Sequence, residues 1–117
     1  MIAIIFEVWP KADEKQNYLD MAAVLRKELE QIEGFLSVER FESISEPGKM
    51  LSLSFFKDED AVDQWRNLSV HRAAQSAGRN KFFSDYRLRV SSVLRDYGMD
   101  NRDEVPADSA QVNPGVS

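Results

Sequence analysis

The chain has 117 residues, 15 basic and 20 acidic side chains for a net charge of −5, and no cysteine. That length is one small domain, and the acidic balance argues against a phosphate-binding surface, so no nucleic-acid partner is expected. The lack of cysteine removes disulfides, thiolate nucleophiles and Cys-ligated zinc or iron–sulfur centres, and it suits a reducing compartment.

Ile2 to Trp9 is an apolar run rich in Ile that ends at Pro10, and it reads as a strand. Both of its faces are largely apolar, as in a central strand. The run is too short to span a bilayer and has no basic leader, so a cytoplasmic protein with no membrane partner is expected. From Asp13 to Ile32 the period becomes helical: Tyr18, Met21, Ala22, Leu25, Leu29 and Ile32 recur at spacings of three and four. Gly34 stands where a helix end favours a left-handed residue.

Phe35 to Ile44 reads as the second strand, Pro47-Gly48 as a turn, and Met50 to Phe56 as the third strand, so these two form a hairpin. Asp58 is an N-cap for a helix carrying Ala61, Val62, Trp65 and Leu68. Ser69 opens a further helical piece through His71, Ala74 and Ala77 to Gly78. Tyr86 to Leu94 is the fourth strand, with Tyr86, Leu88 and Val90 opposite Arg87 and Arg89. After Tyr97 the composition shifts to Gly, Asp, Asn, Pro and Ser. The expected division is therefore a domain over 1–97 and an irregular arm over 98–117, with no regular structure from Asp100 to Ser117.

The order β-α-β-β-α-β defines an α+β, ferredoxin-like fold: a four-stranded antiparallel sheet with the first and third strands central. Its helices cover one sheet face. The other face keeps an apolar set from strands one, three and four, and a bare patch of that size is rare on a monomer. The expected partner is a second copy, packed sheet against sheet.

His71 is the sole histidine, and so the one side chain that titrates unperturbed near neutrality. It reads either as a base acting on a phenol-like or enolisable substrate beside Trp65, or as a helix-end surface residue. Arg87 and Arg89 share a strand face, either stabilising an anion or guarding a sheet edge with charge. Glu7, inside an apolar strand, reads either as the partner of an arginine across the sheet or as a group pointing into a pocket, with pairing favoured. Nucleophile elbows, dinucleotide and phosphate loops and zinc motifs are missing, and no carboxylate cluster has metal-ligand spacing, so no metal is expected.

Several segments read together carry a resemblance. Val8-Trp9-Pro10 is followed by the amphipathic helix, Gly34-Phe35-Leu36-Ser37, Glu39-Arg40-Phe41, Pro47-Gly48-Lys49 and Leu51 to Phe56. Then come Trp65-Arg66, His71-Arg72, Gly78-Arg79 and Phe82 to Arg87. In this order the chain from Met1 to Tyr97 resembles the antibiotic biosynthesis monooxygenase (ABM) domain family. The resemblance implies a dimeric α+β barrel with a pocket between each sheet and its helices. It also implies a cofactor-independent monooxygenase in which a small aromatic substrate, quinol- or anthrone-like, reduces dioxygen itself. By position, Trp65, Phe83 and Tyr86 would bind the substrate, His71 would handle its proton and Arg87 would stabilise the anion. The haem-degrading branch of the superfamily uses an Asn where this chain has Glu7, and its His is further from the Trp, which sets haem chemistry behind. A non-catalytic barrel that binds a small molecule is the alternative.

Overall fold

A computed structural model describes residues 1–68, 72, 73, 76 and 81–112. The elements are β1 (Ile2–Pro10), α1 (Lys15–Leu29), β2 (Phe35–Glu42), β3 (Met50–Phe56), α2 (Glu59–Asn67), β4 (Phe83–Ser92) and α3 (Ala107–Val112). The sheet order is β2-β3-β1-β4 with every pairing antiparallel, so β1 and β2, both antiparallel to β3, run parallel to each other. This is the expected ferredoxin-like α+β sheet, with the most apolar strands in the middle.

Register assigns the faces. Ile4 lies opposite Ser54 and Val90, and Phe6 opposite Ser52 and Leu88. This set, with Ile2, Val8, Met50 and Phe56, turns toward the helices. Ile5, Leu51, Leu53 and Phe55 turn the other way, away from α1 and α2.

The helix-side core is in two parts. Leu29, Val38, Phe56, Ala61 and Val62 form one cluster, with Ile2, Ile32, Phe35 and Trp65 packed against it. Val8, Tyr18 and Met50 form another, with Phe6, Leu19, Met21 and Phe83 against it. α1 supplies Tyr18, Ala22 and Leu29 from its apolar stripe, and its Arg26 Nη1 donates to the Val38 carbonyl oxygen at 3.2 Å. Asp58 caps α2 as expected: its Oδ1 accepts from the Ala61 backbone N–H at 3.0 Å. Gly34 turns the chain from α1 into β2 with φ +93°.

Four boundaries differ from expectation. α1 starts at Lys15 because Lys11 to Glu14 closes a separate turn, with Glu14 N donating to Lys11 O at 2.9 Å. β2 ends at Glu42, before the Ser43 N to Lys49 O bond that closes the hairpin turn. β4 begins at Phe83 rather than Tyr86 and ends at Ser92. A register shift between Trp9 and Pro10 extends its pairing with β1, and Ser84 Oγ donates to Trp9 O at 2.8 Å. The expectation of no regular structure from 100 to 117 is corrected at 107–112. There a short helix forms after Pro106, with Ala110 N donating to Pro106 O and Asp108 in the favourable first turn. The helical piece expected from Ser69 to Gly78 falls largely outside the described residues. Among the described residues no helix is long and apolar enough to cross a membrane.

Candidate functional site

The two core clusters leave a gap between them, and its cause is local. Along the helix side of β3 the residues read Met50, Ser52, Ser54, Phe56: large at both ends, small in the middle. The serines cannot reach the helices, and a cavity of about 260 Å³ remains under α1 and α2. Ile4 and Phe6 form its floor beside the serines, Tyr18 and Leu25 come from α1, Trp65 from α2 and Phe83 from the start of β4. Phe83 packs on the edge of Tyr18, with ring centroids 5.4 Å apart, and against Phe6 at 5.8 Å. Leu88 and Val90 also line the cavity although they are 45 % and 53 % exposed, so it opens along the β4 edge.

Two of the expected substrate-binding residues, Trp65 and Phe83, meet at this cavity. Tyr86 stands at its margin, exposed, with its ring 5.8 Å from Phe6 and 6.1 Å from Phe83. Arg87 is not brought to it. Alternation along β4 sends Leu88 and Val90 to the cavity and Arg87 to the opposite face, level with Glu7. His71 lies outside the described residues.

Arg40 was not foreseen as a site residue. It lines the cavity from β2, directly across from Ser52, and its buried Nε has no hydrogen-bond partner. The usable signal was its place two residues after Val38, a core position. Arg66 also reaches the rim, where its Nη2 donates to Asp63 Oδ1 at 2.8 Å. Among the described residues the lining is otherwise apolar or hydroxylic and contains no Asp or Glu.

On the face away from α1 and α2 Glu7 pairs with Arg89, the first of its two expected readings, and also with Lys49 Nζ at 2.6 Å. Hydrogen bonds from Lys49 and then Arg89 hold its carboxyl below the usual range, and the Glu7 hydrogen bond raises the Lys49 ammonium above its own. Lys49 also sits over the Trp9 ring, 5.1 Å from its centroid, while Trp9 Nε1 donates to Glu46.

A four-stranded antiparallel sheet with an apolar cavity under its helices places the chain in the class of ferredoxin-like α+β domains. Within that class, the sequence model for antibiotic biosynthesis monooxygenases matches residues 1–77, and the chain belongs to this family. It is 44 % identical over 93 residues to jasmonate monooxygenase ABM of Pyricularia oryzae, a match that covers 80 % of this chain and 43 % of that protein. It is 34 % identical over 62 residues to the uncharacterized protein YqjZ of Bacillus subtilis, covering 53 % of each. The chain thus spans about half the length of the curated relatives it matches. Among solved structures, Rv0793 of Mycobacterium tuberculosis superposes with a TM-score of 0.73 at 14 % identity, over 83 % of this chain and 98 % of that one. A crystal structure of an antibiotic biosynthesis monooxygenase gives 0.69 at 15 % identity, over 80 % and 99 %. At such identity the likeness is one of fold.

Proposed function

We propose that this chain is a cofactor-independent monooxygenase domain acting on a small aromatic substrate, quinol- or anthrone-like, in the cavity between sheet and helices. The observation that carries the reading is the cavity: its walls are apolar and aromatic, and the charged residues among its described lining, Arg40 and Arg66, are cationic. A carbanion or phenolate would find compensating charge there and little water. For an anthrone-type methylene the reaction is R₂CH₂ + O₂ → R₂C=O + H₂O. One oxygen atom enters the substrate, the other leaves as water, and the substrate supplies all the electrons. In this reading His71 takes the proton, and Trp65 and Phe83 hold the rings.

Oxygen uptake with a panel of quinols and anthrones tests it. Wild type is expected to consume dioxygen above the buffer rate, Ser52→Leu to lose at least about tenfold by filling the cavity, and His71→Ala to lose about 10²-fold as a missing base. Equal rates in His71→Ala would remove that residue from the mechanism. Equal rates in Ser52→Leu would move the chemistry elsewhere, and no uptake with any substrate would leave a binding barrel. The 44 %-identical relative named for jasmonate adds jasmonate to the panel. Hydroxylating a saturated C–H takes two further electrons, so that arm needs a reductant.

The same reading makes the molecule a homodimer through the sheet face that turns away from α1 and α2. Ile5, Leu51, Leu53 and Phe55 are only half-buried there, and a second copy of the same face would bury them.

A further inference from the structure

We propose that Arg40 makes this cavity selective for small apolar molecules that carry a carboxylate. The inference rests on the reading of the cavity as a substrate site, and it names the chemistry that enters. Charge is the starting point. In a chain of net charge −5, the described residues of the cavity lining include two arginines and no carboxylate. Arg66 is matched where it stands: it holds Asp63, and its side chain is 57 % exposed. Arg40 is not. Its Nε is buried without an acceptor, and Arg40 enters none of the ion pairs among the described residues.

A buried N–H left without a partner is destabilising until an acceptor arrives, and more so on a charged group. The edge of a guanidinium formed by Nε and one Nη presents two parallel N–H bonds, which match the two oxygens of a carboxylate. Ser52, directly across the strands from Arg40, is a small neighbour, and in this proposal the guanidinium turns its Nε edge into the cavity beside it when an acceptor enters. Ile4, Phe6 and Val90 provide apolar surface for the remainder of the ligand. A neutral amide of the same shape offers one oxygen and sets its own N–H groups against those of Arg40. If Arg40 served only through its alkyl stem, acid and amide would bind alike.

Calorimetric titration of the full chain with 2-naphthylacetate and 2-naphthylacetamide separates these cases, because the ring system is shared and the charge is not. Wild type is expected to bind the acid at least about tenfold more tightly, equivalent to about 1.4 kcal/mol. Arg40→Gln should bring the ratio close to one, and Arg40→Lys should keep part of it, with thermal melting confirming that both variants fold. The wild-type comparison stands even if a variant does not fold. Equal affinity for acid and amide in wild type would overturn the proposal, as would an undiminished ratio in folded Arg40→Gln or no binding of either probe. Acid preference without oxygen uptake would leave Arg40's role standing while the oxygenase reading fell. Oxygen uptake on neutral quinols with no acid preference would do the reverse.

Discussion

Glu7 stands in the middle of an apolar strand and is held by two cations of different origin, Arg89 from β4 and Lys49 from the hairpin turn. The three groups tie an edge strand and a turn to the central strand on the face away from α1 and α2. Because folding lowers the Glu7 pKa from 4.5, its contribution is complete above that value and is lost as pH falls through the lower folded value. Because folding raises the Lys49 pKa from 10.5, its contribution is complete below that value and fades as pH rises through the folded one. The window of full benefit therefore lies between 4.5 and 10.5. Glu7→Gln is expected to melt below wild type throughout it, with the gap closing toward acid. A gap unchanged down to pH 3 would show that charge pairing is not what Glu7 provides.

Elements are joined here by two devices with opposite visibility in the sequence. The turn from α1 into β2 was legible, since a glycine just past the last periodic apolar residue marks a left-handed helix end. Gly34 adopts φ +93°, and a Cβ there would meet the Ala61 Cβ of α2 at 3.0 Å. Gly34→Ala therefore combines a left-handed penalty of about 1–2 kcal/mol with a clash against a helix that must shift. A drop of at least about 2 kcal/mol in urea unfolding is expected, and a change under about 0.5 kcal/mol would show that the turn can rearrange. The β-bulges were not legible. Phe35 and Val38 both face the helices because the register shifts between Phe35 and Ser37. Strict alternation counted from Phe35 would turn Arg40 away from the cavity; the extra residue turns it in. A bulge depends on pairing with a distant strand, so local patterning carries no sign of it. A charged residue on a strand is then read as solvated, which is how Arg40 escaped notice while the aromatic Trp65 and Phe83 did not.

At the scale of the molecule the sheet has two working faces, and the split follows from one strand. β3 alternates Met50, Ser52, Ser54 and Phe56 toward the helices with Leu51, Leu53 and Phe55 away from them. The covered face is large at its ends and small at its middle, while the other face carries an unbroken apolar row, which a lone two-layer domain does not need. The arrangement makes sense if the covered face must hold a cavity and the uncovered face must be closed by a second copy. Ile5, Leu51, Leu53 and Phe55 are already partly buried in the single chain, so pairing adds only the remainder of the about 1.5–3 kcal/mol that full burial of such a side chain contributes, and the rest of the face must help to offset an association cost of about 4–15 kcal/mol. Leu53 sits at the centre of that face, between Ile5 on β1 and Glu39 on β2. Leu53→Lys places a cation beside Glu39, which a monomer tolerates, but buries it in a sheet-to-sheet interface. Native mass at micromolar concentration is expected to be twice the chain mass for wild type and the single-chain mass for Leu53→Lys, with unchanged circular dichroism. A wild-type monomer would overturn the dimer, and a Leu53→Lys dimer would move the interface to another surface. If the interface is this face, Leu53→Lys should leave the acid preference at Arg40 intact, because the cavity lies on the other side of the sheet.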